Sequence, residues 1–264
     1  MPLTNERLTN LIEFNSKLDP YWAHLAIATV VSCNFPELIP KIYIAKLLQL
    51  QEHSQQRSLQ DIILRAETLL LHRDELNSEF AEVNDAQIKF NSEIKEVILK
   101  ESALVGIPRA INGLKSLYTT TPKSLLNEKG DLHPQNAYIS ETVRRRDESH
   151  NLERGLNHWN KTYGKVSMRI INDLNDFYPD LWQFIIKDVY GDVLSYGKII
   201  DASLTSLVVI CALIPLDVNA QLRGHLRGAL NVGWDRNFID VVRNYSLMIS
   251  VWCGVHWKTD VVKL

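Results

Sequence analysis

The residue in this sequence best placed to move a proton is His225. It lies in the stretch Gln221-Leu222-Arg223-Gly224-His225-Leu226-Arg227-Gly228-Ala229-Leu230-Asn231. On a helix, residues three and four apart share a face, which sets His225 beside Gln221, Leu222, Gly228 and Ala229. The small residues Gly224, Gly228 and Ala229 leave room for a second helix or a ligand to come close. An imidazole with an ordinary pKa near ~6.5 can act as general acid or base at neutral pH. The thiols offer less. Cys33, Cys211 and Cys253 are odd in number, with no Cys-x-x-Cys pair and no metal-like spacing, so neither a disulfide framework nor a zinc site is expected. Cys211 and Cys253 read as packed, inert side chains. No metal and no cofactor are expected.

The elements that must position these residues are helices. Apolar residues make up 45% of the 264, and helical periodicity dominates while strand-like alternation is scarce. Apolar helices are predicted over 21–33 and from Asp201 through 202–213, with amphipathic ones opening at Pro36, over 59–76, over 84–104 and continuing over 110–117. In the second half, helices resume near Leu152, pause near Asn175 and restart at Pro179. Asp217 is predicted to cap the helix that carries His225, Gly233 to end it, and Asp235 to begin the next. Residues 119–150 are rich in Thr, Pro, Asn and charge and read as a surface linker between an N-terminal unit, 1–118, and a C-terminal unit, 151–264. The two units read as diverged copies of one repeat. Val30-Val31-Ser32-Cys33 and Val208-Val209-Ile210-Cys211 each end an apolar helix and precede a turn, an acidic residue and another helix.

Bulk properties exclude several function classes. A net charge of -2 gives no field to attract nucleic acid. The longest apolar stretch, 204–216, is too short to span a bilayer. The ending Val262-Lys263-Leu264 matches two of the three residues of a peroxisomal address, with Val262 larger than the small residue usual there.

The C-terminal block 221–233, Gln-Leu-x-x-His-x-x-Gly-Ala-Leu-Asn-x-Gly, resembles the carboxymuconolactone decarboxylase / alkyl hydroperoxidase D family. Gly106-Ile107-Pro108-Arg109-Ala110-Ile111-Asn112 is similar to a Gly-x-Pro-Arg-Ala-x-Asn segment of the same group. Two-repeat eukaryotic members, fungal peroxisomal ones among them, are what the chain looks most like. The resemblance implies an all-α, AhpD-like bundle, a homo-oligomer and a peroxisomal location read by an import receptor through Val262, Lys263 and Leu264, the alternative being the cytoplasm. In the hydroperoxidase branch a Cys-x-x-Cys pair precedes the matching histidine. Here those positions are Val218 and Gln221, so that thiol chemistry is not expected. The decarboxylase branch implies a small carboxylate or lactone ligand. There His225 would supply the proton, Arg223 or Arg227 the cation, Gln221 and Asn231 hydrogen bonds, and Tyr196, Trp234 and Trp252 an apolar wall, with Arg109 reaching in from the first unit. Two readings are open: a proton-transfer enzyme, and a non-catalytic oligomeric protein in which His225 only packs.

Overall fold

The computed structural model describes residues 3–52, 57–126 and 150–264, and among them every regular element is helical. The elements are α1 (Asn5–Glu13), α2 (Trp22–Ser32), α3 (Ile39–Gln49), α4 (Leu59–Leu71), α5 (Arg73–Glu79), α6 (Asp85–Val105) and α7 (Ile107–Thr120). The second half holds α8 (Asn151–Tyr163), α9 (Ser167–Phe177), α10 (Pro179–Phe184), a π-helix (Ile185–Leu194), α11 (Ala202–Leu213), α12 (Asn219–Val232) and α13 (Arg236–Trp252). The protein is an all-α bundle.

The centre is built from the two helices that have no polar side. Every residue of α2 is buried, and α11 is buried from Leu204 to Leu213 except at Ser206. A helix apolar all round must be covered all round. α2 packs against α11, α6 and α13, and α11 packs against α6 and α12. The hydroxyl groups of α2 find partners in the second half of the chain, on α13 and α11. Thr29 Oγ1 donates to Ser246 Oγ at 3.0 Å, and Ser32 Oγ donates to the Ala212 carbonyl at 2.7 Å. The Val-Val-x-Cys segments singled out in the sequence therefore belong to helices that lie against each other.

Local signals start and stop the helices where polar side chains can take up end groups. Asp201 accepts from Leu204 N and Asp235 from Phe238 N, both as N-caps, and Gly233 ends α12 at φ 116°. Ser58 with Asp61, and Asn84 with Gln87, form reciprocal capping boxes on α4 and α6. Three expectations are corrected. Asp217 does not cap α12: it sits at φ 57°, Val218 takes the cap position, and Asp217 Oδ2 instead accepts from Lys258 N. The helix expected over 59–76 breaks at His72, whose extended backbone separates α4 from α5. Helix α7 runs on to Thr120 and a single turn follows at Lys123–Leu125, so the segment read as a linker from 119 begins inside a helix. Residues 127–149 of that segment lie outside the described residues.

One buried cation joins the halves. Lys100 on α6 is fully buried, and its Nζ donates to the carbonyls of Leu194 at 2.7 Å, Tyr196 at 2.8 Å and Val193 at 3.1 Å. These carbonyls lie at and just past the end of the π-helix, where unpaired acceptors and the negative end of the helix dipole favour a positive charge. Glu96, one turn back on α6, stands 3.8 Å away. The next residue, Glu101, is treated the opposite way. Its carboxyl is fully buried without a hydrogen-bond partner, and burial raises its pKa well above the usual range, so it is carried as a neutral acid.

Glycines set the spacing on the other side of the π-helix. A Cβ on Gly155 would stand 2.8 Å from the backbone nitrogen of Gly191, so α8 and the π-helix touch backbone to backbone. On α12, a Cβ at Gly228 would stand 2.6 Å from Thr162 Cγ2 and 3.2 Å from the Thr162 carbonyl. Gly228→Leu is therefore expected to lower stability by about 1–3 kcal/mol, and an unchanged melting temperature would contradict the close contact. Lys100→Met leaves three buried carbonyls without their cation and is expected to cost about 3–5 kcal/mol, measured by urea unfolding. A loss under about 1 kcal/mol would mean that the halves do not depend on it.

Candidate functional site

Helix α12 lies on the C-terminal end of α8 because its glycines let it. Gly224 faces Tyr163, Gly228 faces Thr162, and Asn231 Nδ2 donates to the Thr162 carbonyl at 2.9 Å. That contact brings His225 to Tyr163. Tyr190 OH donates to Tyr163 OH at 3.2 Å, and Tyr163 OH stands 3.2 Å from His225 Nε2. With its oxygen accepting from Tyr190, Tyr163 has its own proton to give, and the acceptor is His225 Nε2. The proton of a neutral His225 is then on Nδ1.

The surroundings keep this chain uncharged. Burial pushes the His225 imidazole down to about 4, and nearby His158 adds to the shift. Burial likewise pushes His158 down to about 4, helped by the positive charges of Lys100 and Lys161. Burial raises both tyrosines, and Tyr163 raises Tyr190 further. At neutral pH the site therefore holds two neutral imidazoles and two neutral phenols. Trp159 walls it, with its ring 4.3 Å from Tyr163, 4.8 Å from Tyr190 and 4.9 Å from Trp182 between centroids. The Trp159 Nε1–H is buried with no hydrogen-bond partner. His225 and Tyr163 are part-exposed, so an edge of the site reaches the surface.

An acceptor imidazole beside a phenol donor can take a proton from carbon while the phenol holds the oxyanion that forms. Tyr190 lies on the π-helix, a widened turn that is frequent at functional sites.

The residues expected to bind a ligand fall in several places. Gln221, Arg223 and Arg227 are exposed on α12, and Asn231 is engaged with Thr162. The buried Tyr196 lies under Arg154, whose guanidinium is 5.7 Å from the ring, and its carbonyl is held by Lys100. The remaining three have partners in other parts of the bundle. Trp234 Nε1 donates to the Ser203 carbonyl, and its ring meets Tyr21 and Phe238. Trp252 lies under Arg7, 5.4 Å away. Arg109 Nη1 donates to the Ser32 carbonyl at the end of α2.

The C-terminal tripeptide lies on the body. Arg243 donates to the carbonyls of Val261 and Val262, Asn219 Oδ1 accepts from Val262 N, and Lys263 and Leu264 line a cleft of about 230 Å³ beside Leu226 and Arg236. Tyr163 and Tyr190 stand in the sequence only as parts of Tyr-Gly pairs. His158 and Trp159 carried no local signal at all, because their partners are distant in the chain. Among the described residues no cluster of His, Cys, Asp and Glu is arranged to hold a metal ion, and no helix is long and apolar enough to cross a membrane.

No family model matches the chain, and no solved structure matches it. It is 40% identical over 282 aligned residues to Peroxisomal protein 2 of Saccharomyces cerevisiae, with 99% of each chain covered. It is 37% identical over 172 residues to Peroxisomal protein 2 of Schizosaccharomyces pombe, covering 65% of this chain and 75% of that one. The names of both relatives support a peroxisomal location for this protein. Near-complete alignment at this identity means that the chain belongs to the Peroxisomal protein 2 family.

Proposed function

We propose that this protein is a proton-transfer catalyst, with His225 as base or acid toward a small carboxylate or lactone. The observation that carries the reading is the hydrogen-bonded chain Tyr190–Tyr163–His225, in which burial holds the imidazole neutral. A ligand whose oxygen takes the Tyr163 O–H away from His225 Nε2 would find the phenol as donor and the freed Nε2 lone pair as acceptor. Proton removal next to a carbonyl, or proton delivery to the carbanion left by loss of carbon dioxide, uses that same pair. Arg223 and Arg227, exposed on another face of α12, add positive charge to the neighbourhood of the site and favour the approach of an anionic ligand. The reading keeps the kinship with the carboxymuconolactone decarboxylase group and the two-repeat origin as part of the proposal. Their support is the motif around His225 and the matching burial of α2 and α11.

The test is a panel of small carboxylates and lactones, scored by thermal stabilisation and by exchange of carbon-bound protons in heavy water. Ligands that stabilise the wild type are expected to lose at least about a hundredfold in exchange rate with His225→Ala and about tenfold with Tyr163→Phe. Equal exchange rates in wild type and His225→Ala would refute the proposal. A folded, assembled His225→Ala protein with unaltered function in cells would favour the non-catalytic reading.

We also propose assembly through α9. This helix buries only Ser167 within the chain, while Met168 and Phe177 are 64% and 75% exposed. A second copy of the chain would cover this face, as apolar area of this kind is costly in water. Phe177→Asp is expected to halve the molar mass measured by light scattering, and a wild type that is already monomeric would contradict it. Import through Lys263-Leu264 is the third part of the proposal. Removal of these two residues is expected to leave an N-terminal fluorescent fusion in the cytosol, whereas unchanged peroxisomal fluorescence would rule the ending out as the address.

A further inference from the structure

Residues 257–264 form no helix, yet they are tied to the body along their whole length. Trp257 Nε1 donates to the Ile214 carbonyl at 2.7 Å, and Asp217 Oδ2 accepts from Lys258 N. Asn219, the first residue of α12, donates from Nδ2 to Thr259 Oγ1 and to the Asp260 carbonyl, and its Oδ1 accepts from Val262 N at 2.9 Å. Arg243 on α13 is buried, and its whole guanidinium is engaged here. Nε donates to the Val262 carbonyl at 2.8 Å, Nη2 to the Val261 carbonyl and Nη1 to Asn244 Oδ1. Val261 is buried, and Val262 and Leu264 pack against the core.

We propose that this docked tail is an autoinhibitory latch, in which Arg243 and Asn219 withhold Val262-Lys263-Leu264 from the import receptor until the tail lifts off the body. This rests on the reading of that ending as an address and not on the chemistry at His225. A receptor that reads a short C-terminal peptide must reach its main-chain groups and take its side chains into pockets of its own. In the docked tail both main-chain groups of Val262 are already used, the N–H by Asn219 and the carbonyl by Arg243. Leu264 lines the cleft beside Leu226 and Ile239, so its side chain cannot fill a receptor pocket at the same time. Only Lys263 of the three residues is exposed.

The clamp is also placed so that it can open. Two clefts, of about 230 Å³ and about 590 Å³, border the tail, and Arg243 and Lys263 line both. Water can therefore take over the guanidinium when the tail lifts, and each bond lost within the protein is exchanged for one to water, which keeps the docked and free states close in free energy. The bonds of Trp257 and Lys258 go to Ile214 and Asp217, outside the clamp, so residues 261–264 can lift while the base of the tail holds. A receptor that binds only the free tail sees its apparent affinity reduced by the fraction of molecules in which the tail is free.

The full chain, a free peptide of residues 257–264 and the full-length variants Asn219→Ala and Arg243→Gln are titrated against the purified import receptor, and hydrogen exchange is followed at the Val262 amide. The wild type is expected to bind about tenfold or more weakly than the peptide, with its Val262 amide protected. Asn219→Ala is expected to bind within about twofold of the peptide, with that amide exchanging freely and the circular dichroism unchanged. Arg243→Gln is expected to do the same, and Asn219→Ala alone decides the matter if the loss of the buried guanidinium prevents folding. Equal binding by the wild type and the peptide would overturn the proposal. So would a freely exchanging Val262 amide in the wild type, or a folded Asn219→Ala protein that binds no better than the wild type. A peptide that does not bind the receptor removes the address reading, and the latch with it, and the peptide's own silence sets that failure apart from the others.

Discussion

Burial of α2 and α11 on every side is the constraint on which the remaining packing depends. Each helix is apolar around its whole circumference, so neither half of the chain can cover its own helix with its own neighbours alone. The halves must close on each other, α2 against α11, with α6 and α13 over the outside. The polar groups inside this contact, Thr29, Ser32 and Ser246, are few, and they find partners in the opposite half, as buried hydroxyls must.

The site follows from the same closure. Bringing α6 across the centre delivers Lys100 to the end of the π-helix, and fixing that end places Tyr190. The Gly155–Gly191 contact holds α8 against the π-helix, and Gly228 holds α12 against α8. His225, Tyr163, Tyr190 and His158 thus come from three elements whose relative positions are set by backbone contact and one buried cation. The charge of Lys100 has a second effect, since together with burial it keeps His158 uncharged. The proposed base, His225, needs to be neutral when it meets a substrate, and packing, not a carboxylate partner, keeps it so.

What was legible in the sequence was local. Asp201, Asp235 and Gly233 mark helix ends through interactions within a few residues, and all three act where they were expected to. The apolar runs of α2 and α11 announced a buried helical core. Asp217 looks like the other acidic caps, yet its left-handed backbone sends its side chain to Lys258 instead. The long-range pairings carried no sequence signal. Lys100 reads as one more helical lysine until its carbonyl partners are known, and Tyr163 and His225 are brought together by tertiary packing. His225 itself is singled out by its helix and its family-like motif. Arg109, Trp234 and Trp252, expected to reach the same site, are engaged elsewhere in the bundle.

The central claim is that packing of α8, the π-helix and α12 holds His225 as a neutral hydrogen-bond acceptor. It is tested most directly by following the His225 ring by nuclear magnetic resonance as pH is lowered, using isotopically labelled histidine and His225→Gln to assign the signal. The account requires protonation near pH 4, with the proton on Nδ1 above that pH. Titration at or above the ordinary value of about 6.5 would mean that the ring is solvated and charged near neutrality, and the account of the site would fall.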